Sequence, residues 1–224
     1  MYEIVMGLMM VSGIIIILLI IIGIWKLRER NTNYSVKSKI YKNQRSINIG
    51  CEGEKKISRI LEKYSHLNTC YIIENYRAFY KDKSIQIDHL LITPSEIICI
   101  ETKNYKGKIY GSKDNLNWTI VYNPNDKEKM YNPIRQNANH IKFLYNFLPY
   151  NTPIKNIVVF TGTADIEELK QIEEVYTIEE FFKYIYNLND IIKYDYQMVY
   201  EILMTYKLNI SDEEHIQNIQ KYKE

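Results

Sequence analysis

Two acidic residues and a lysine fall at a spacing that suits metal-dependent hydrolysis of phosphodiesters. Asp88 follows the apolar residue Ile87, and Glu101 and Lys103 lie thirteen and fifteen residues further on, at the end of an apolar run. Carboxylate oxygens are ligands for hard cations such as Mg²⁺, and a nearby ammonium can stabilise charge that develops on a phosphate. Charges near strand ends are also common on protein surfaces, so this triplet is a weak signal when taken alone.

The segments that carry these residues are predicted to form two antiparallel strands. Residues 90–93 and 96–100 are apolar, and Pro94-Ser95 marks a turn between them. A hairpin centred on that turn places Asp88 opposite Glu101, and alternation of side chains then turns Lys103 to the same face. Burying three charged groups on one face of an apolar sheet is costly unless a cation or a substrate compensates them.

The other patterns predict an α/β fold, a mixed sheet flanked by helices. Helices are expected over 53–64, 133–147, 177–186 and 196–208, and short strands over 70–73, 107–111, 118–122 and 157–160. Asn132 would cap the second helix and Pro133 would be its first residue. The last strand is wholly apolar, which favours a central position in the sheet. In the helical C-terminal segment, six apolar side chains are expected to be buried: Phe181, Phe182, Ile185, Val199, Ile202 and Leu203.

The first 25 residues predict a membrane anchor. Val5 to Trp25 is a run of 21 residues without a charge. As a helix it would span roughly 32 Å, enough for a hydrocarbon layer of ~30 Å. A cleaved signal peptide is the alternative, but a basic start and a cleavage site are missing. Lys26, Arg28 and Arg30 follow, so the positive-inside rule predicts a single-pass protein of the cell membrane with the rest of the chain in the cytoplasm.

Charge and cysteine content add two weaker indications. Residues 1–164 carry 23 basic and 13 acidic residues, whereas residues 165–224 carry 6 and 14. A basic body suits a polyanion, either nucleic acid or anionic lipid, although residues 26–49 alone contribute a net charge of +6. Cys51, Cys70 and Cys99 have no zinc-type spacing, and their odd number predicts reduced thiols.

Several motifs, in a fixed order, resemble the nuclease-related domain, usually called NERD. They are Gly50-Cys51-Glu52-Gly53-Glu54, Gln86-Ile87-Asp88-His89, the run from Ile100 to Tyr105, Gly107, and the run from Asn132 to Asn137 with His140. The resemblance implies a restriction-endonuclease-like fold of the PD-(D/E)xK nuclease superfamily, with Ile87 in place of the proline. The expected segments are therefore a transmembrane anchor (1–25), a basic linker (26–47), the nuclease-like domain (48–163) and an acidic helical segment (164–224).

The resemblance also implies roles for five residues. Asp88 and Glu101 would bind the metal, with Glu54 of the first helix as a further acid and metal ligand. Lys103 would be the catalytic lysine, and Gln136 a catalytic glutamine on the following helix. The implied cofactor is Mg²⁺ or Mn²⁺, and the implied partner is nucleic acid, with DNA favoured over RNA.

Structural alternatives remain open for the weaker candidates. Glu54 in a first turn would also favour the helix dipole, and Gln136 could bond a neighbouring loop. His140 and His89 fit packing roles better than ligand roles. Two functions follow: a membrane-anchored metal-dependent nuclease, or a non-catalytic module that binds nucleic acid or acts as a scaffold on a nuclease fold. The sequence does not indicate an oligomeric state.

Overall fold

The computed structural model describes Lys26 and residues 44–81, 83–189 and 191–208. The chain divides into two compact units, residues 1–48 and 49–224. In the first unit, residues 44–48 are helical and the Gln44 side chain donates a hydrogen bond to Asn48 Oδ1 at 3.2 Å. Within the described ranges, no helix combines the length and the apolar character needed to span a bilayer. The predicted anchor at residues 5–25 lies outside these ranges.

The described part of the second unit is an α/β fold with strands in two sheets. The strands are β1 (Tyr71–Tyr80), β2 (Lys83–Ile92), β3 (Ile97–Lys103), β4 (Lys108–Tyr110), β5 (Asn117–Asn123), β6 (Asp126–Tyr131), β7 (Ile154–Phe160) and β8 (Val175–Thr177). The helices are α1 (49–65), α2 (Pro133–Leu144), α3 (Ile178–Tyr186) and α4 (Tyr196–Tyr206), with a 3-10 turn at Glu167–Leu169.

The larger sheet is mixed, as the sequence predicts. Its strand order is β1-β2-β3-β7-β8, with antiparallel pairing from β1 to β3 and parallel pairing of β7 with both β3 and β8. The apolar strand β7 is therefore internal, which confirms its predicted central position. Strands β4, β5 and β6 form a separate antiparallel sheet, called here the meander sheet.

Helices cover both faces of the larger sheet. Cys99 belongs to a cluster that includes Phe143 of α2 and Leu203 of α4. Ile98, its neighbour in β3, belongs to a cluster that includes Leu61 of α1 together with residues of α3. Because neighbouring residues of a strand point to opposite faces, β3 is buried between two helical layers.

Among the described residues, one face of the meander sheet is covered. Ile109, Trp118 and Ile120 are completely buried and pack with Phe160 of β7. The turn into this sheet requires a glycine at position 107, where φ is +84° and an added Cβ would lie 2.6 Å from the carbonyl oxygen of Val121.

Several element boundaries differ from the expectations. The first helix is already helical at residue 49 rather than 53, and the second ends at Leu144 rather than at 147. Strands β6 and β8 were not expected. β6 is exposed at five of its six positions and β8 has three residues, so neither shows the apolar alternation by which strands are recognised. Phe182 is 41% exposed rather than buried, because its neighbour Phe181 takes the inward position on α3.

Candidate active site

The candidate site lies where the β2–β3 hairpin opens. The ladder runs from Ile92 opposite Ile97 to His89 opposite Ile100. Continuing this register by one residue places Asp88 opposite Glu101, as the sequence predicts. There the side chain of Asp88 replaces backbone pairing, since its Oδ2 accepts a hydrogen bond from the backbone N–H of Thr102 at 2.8 Å.

Strand β2 is irregular at Asp88. Ile85 and Ile87 before it and Leu90 and Ile92 after it all pack in the same core cluster, so the alternation of side chains shifts by one residue. On the other side, the β1 register places Asn75 opposite Asp88, and Asn75 has a positive φ of 48°. Simple alternation therefore does not explain where Asp88 points. Its position is set by this backbone irregularity and by the bond from Thr102.

Glu101 is the centre of the polar cluster. It is 2% exposed, and its Oε1 accepts hydrogen bonds from Lys103 Nζ at 2.6 Å and from Gln136 Nε2 at 2.8 Å. Lys103 Nζ also donates to Gln136 Oε1 at 3.2 Å, which closes a triangle of three side chains. Alternation along β3 correctly predicts the contact between Glu101 and Lys103, and Gln136 lies in the site rather than against a loop.

The second oxygen of Glu101 has no hydrogen-bond partner among the described residues. Glu101 Oε2 and His140 Nδ1 are both buried and face each other at 3.8 Å. Burial lowers the pKa of His140, and the attraction of Glu101 offsets this only in part. Both atoms therefore retain unused hydrogen-bonding or ligating capacity among the described residues. His140 is thus closer to the site than its predicted packing role required.

The charges of the site are strongly coupled. Burial is the main cause that raises the pKa of Asp88 well above its ordinary value, followed by repulsion from Glu101. Glu54 behaves similarly, since burial and then Glu101 raise its pKa. Burial alone would lower the pKa of Lys103, but the ion pair with Glu101 outweighs it and the pKa is raised. Lys103 is therefore an ammonium in this arrangement, beside carboxylates that repel one another.

Close packing of α1 brings Glu54 towards this cluster. A Cβ on Gly53 would lie 2.6 Å from Thr161 Oγ1 and 2.8 Å from Asn104 Cβ, so only glycine allows the helix to approach so closely. Two hydrogen bonds fasten the same contact. Asn104 Nδ2 donates to the carbonyl of Ile49 at 2.6 Å, and Lys56 Nζ donates to the carbonyl of Thr161 at 2.8 Å. Asn104 therefore positions α1.

On the far side of the sheet, His89 has a structural role, as expected. Its Nε2 lies 3.0 Å from Ser58 Oγ of α1, and burial lowers its pKa to about 4. The imidazole is therefore neutral near pH 7 and links α1 to β2 through a hydrogen bond rather than through a charge.

Helix α2 carries Gln136 and His140 and is fixed by two asparagines. Asn132 caps the helix as predicted, with its Oδ1 accepting from the Ile134 N–H at 3.0 Å. Asn137 is completely buried, and its Nδ2 donates to the Cys99 carbonyl at 2.7 Å and to Asn156 Oδ1 at 2.9 Å. The role of Asn137 was not predicted from the sequence. Its position on the apolar stripe of α2 was the available signal, because a polar residue there must find buried partners.

The site offers oxygen ligands of the type that a divalent cation needs. Among the described residues, no group of three His, Cys, Asp or Glu side chains is already gathered as a cation cage. Three features nevertheless fit a hard cation. Glu101 Oε2 is unsatisfied, the carboxylates repel one another, and the acids offer only oxygen ligands, from Asp88, Glu101 and Glu54. Mg²⁺ in particular commonly uses one or two carboxylates and keeps several water ligands.

Comparisons with known proteins identify the family of the chain. Residues 49–161 match the nuclease-related domain. An uncharacterized protein from Bacillus anthracis is 31% identical over 123 residues, which is 54% of this chain and 56% of the relative. The chain thus spans little more than half the length of the curated relative that it matches. No solved structure gives a significant match. The family match covers half of the chain and includes all five predicted site residues, and the protein therefore belongs to the nuclease-related domain (NERD) family.

Proposed function

We propose that this protein is a metal-dependent nuclease that hydrolyses phosphodiester bonds in nucleic acid, with DNA favoured over RNA. The observation that supports this most strongly is Glu101, a buried carboxylate with one oxygen held by Lys103 and Gln136 and the other without a partner among the described residues. A purely structural ion pair would leave no buried oxygen unsatisfied, because that carries a cost in free energy.

Asp88, Glu101 and Glu54 would hold Mg²⁺ or Mn²⁺. A bound divalent cation would neutralise phosphoryl oxygens and lower the pKa of an attached water. Side chains of the protein would stabilise charge and position the reacting groups. Lys103, an ammonium already beside Glu101, would stabilise negative charge that develops on the phosphate. Gln136 would hold the side chains of Lys103 and Glu101 in position through its two hydrogen bonds.

A membrane location is a further part of the proposal. The apolar run at residues 5–25 and the basic residues that follow support a single-pass anchor, with the nuclease domain on the cytoplasmic side. Protease added to sealed right-side-out cells should then leave this domain intact, and cleavage within it would contradict the orientation.

The non-catalytic alternative is less well supported. A scaffold that binds nucleic acid through a nuclease fold has no use for a buried carboxylate, an ammonium and a glutamine in mutual contact. Metal binding discriminates between the two, since a scaffold should bind DNA while remaining silent towards Mg²⁺ and Mn²⁺ in calorimetry.

Cleavage assays of the purified full-length chain test the nuclease proposal. Single-stranded DNA, duplex DNA and RNA would be incubated with Mg²⁺, Mn²⁺ or EDTA. The variants Glu101→Gln and Lys103→Met keep the approximate side-chain size but remove the charge, and each should lower cleavage by about 100-fold or more. Glu62→Gln, an exposed acid on α1, is the matched control and should cleave like the wild type. Equal cleavage by all four proteins would point to a contaminant and reject the assignment.

A further inference from the structure

The outer face of the meander sheet combines lysines and tyrosines in a regular pattern. Ile109, Ile120 and Met130 point into the core, so their neighbours along the strands point outward. The outward residues are Lys108, Tyr110, Thr119, Val121, Lys127, Lys129 and Tyr131, and they are called here the lysine–tyrosine face. Register places Lys127 opposite Val121 and Lys129 opposite Thr119, so both ammonium groups flank the middle strand.

Two lysines of this face are free to meet a ligand. Lys127 and Lys129 are exposed, and neither forms a hydrogen bond or ion pair with any residue that the structure describes. Lys108 is different, because its Nζ lies 3.0 Å from Glu168 Oε1. Asp165 is paired with Lys108 at the β4 edge, and its Oδ2 lies 4.0 Å from Lys108 Nζ, so acidic residues border the face at that edge. Glu128 pairs with the inward residue Ile120 and accepts a hydrogen bond from Tyr122 at 3.0 Å.

The tyrosines are exposed beside an open depression. Tyr110 and Tyr131 are 42% and 41% exposed, which is high for rings on a sheet surface. A depression of about 580 Å³ is lined by Tyr110, Thr119, Val121 and Lys127 together with residues 122–124 at the end of β5. Exposed aromatic rings beside unpaired cations are the combination with which proteins stack the bases of a single strand and track its phosphates.

The connections of the meander sheet place this face next to the candidate active site in the chain. Four residues link Lys103 at the end of β3 to Lys108 at the start of β4, a span of at most about 17 Å. At the other end, only Asn132 separates Tyr131 from Pro133, the first residue of the helix that carries Gln136. Both ends of the meander sheet therefore lie close, along the chain, to residues of the candidate site.

We infer that the lysine–tyrosine face is an accessory binding surface for single-stranded nucleic acid, with Tyr110 stacking a base and Lys127 and Lys129 contacting phosphates. The inference rests on the proposed nuclease function for its biological meaning, but binding itself does not require cleavage. An anionic lipid surface would also attract the lysines. It is flat, however, and would not use a depression edged by a tyrosine ring.

Binding of a labelled oligothymidylate to the full-length chain tests this inference, measured by fluorescence anisotropy in EDTA so that no cleavage occurs. Tyr110→Ala should weaken binding by about 5- to 150-fold, and Tyr110→Phe should restore it, because stacking needs the ring and not the hydroxyl. Replacing Lys127 and Lys129 together by alanine should reduce the slope of log affinity against log salt by about 1.4. Tyr150→Ala and Lys63→Ala, at exposed positions elsewhere, are the matched controls. Thermal melting checks that every variant is folded.

The outcomes separate this inference from the proposed function. Absence of oligonucleotide binding by the wild type, or binding unchanged in folded Tyr110→Ala, would overturn the inference even if the protein cleaves DNA. Equal affinity for duplex DNA with no effect of Tyr110→Ala would also overturn it, as would weaker binding to anionic vesicles but unchanged binding to the oligonucleotide after both lysines are replaced. Conversely, Tyr110-dependent binding by a protein that never cleaves would support this surface and reject the nuclease assignment.

Discussion

The two ends of the β2–β3 hairpin are built in different ways. At the turn, the backbone pairs are closed, with the Thr93 N–H donating to the Glu96 carbonyl at 3.1 Å, and the neighbouring residues Ile92, Ile97 and Ile98 are completely buried. At the open end, the backbone pairing of β2 with β3 ends at His89. Beyond it, the Asp88 side chain accepts a hydrogen bond from the Thr102 N–H, and Glu101 is bonded by other side chains.

This difference separates stability from function within one pair of strands. The turn end is held by apolar burial and main-chain bonds, which depend little on charge. The open end contains carboxylates held by side-chain contacts that a cation or a phosphate could replace. Buried carboxylates with raised pKa values are unfavourable for folding but suit metal binding. Substitutions at the turn end should therefore affect stability more than activity, and substitutions at the open end should affect activity more than stability.

The largest change in stability is expected at the turn end. Ile98→Ala removes a completely buried side chain between β3 and the α1–α3 layer and should lower the free energy of unfolding by about 2–5 kcal/mol. Urea denaturation measures this loss. Cleavage by the fraction that remains folded should be retained, because Glu101 and Lys103 point to the opposite face of the sheet, towards Gln136 of α2. A stability loss below that of an exposed substitution would show that this part of the core is loosely packed.

An intermediate effect is expected where α1 meets the open end. Gly53→Ala forces an added methyl against Thr161 and Asn104, and such overpacking costs about 1–3 kcal/mol, although alanine favours helix formation. The displaced helix should also carry Glu54 away from Glu101 and reduce cleavage. Gly50→Ala is the matched control, since nothing lies within 4 Å of its added Cβ. Equal stability of the two variants would contradict the close approach of α1.

The smallest effect on stability, and one of opposite sign, is expected for Asp88→Asn. Asparagine can still accept the bond from Thr102 but cannot ionise. Because the folded state raises the pKa of Asp88, it binds a proton more tightly than the unfolded chain, and wild-type stability falls as the pH rises above about 4. The variant does not lose stability in this way. In EDTA, its free energy of unfolding relative to the wild type should therefore rise towards neutral pH. Unfolding curves at several pH values measure it, and a variant that becomes relatively less stable as the pH rises would contradict the shift.

The sequence predicted the hairpin and its register well, because Pro94-Ser95 marks the turn and two apolar runs fix the pairing. It also predicted the Asn132 cap and the contact between Glu101 and Lys103, which are local features. It did not predict the irregularity at Asp88, since neither an adjacent turn residue nor a change of apolar pattern marks the positive φ of Asn75 in the neighbouring strand. The separation of the meander sheet and the buried bonds of Asn137 likewise arise from tertiary packing. The anchor at residues 5–25 stays a prediction.

Calorimetric titration of the full-length protein with Mn²⁺ tests the central claim most directly, because it measures the cation site without requiring turnover. The wild type should show saturable binding. Glu101→Gln and Asp88→Asn should each weaken it strongly, whereas Glu62→Gln should leave it unchanged. Binding of equal affinity in the wild type and in both site variants, or no binding by the wild type, would contradict a metal site at the open end of the hairpin.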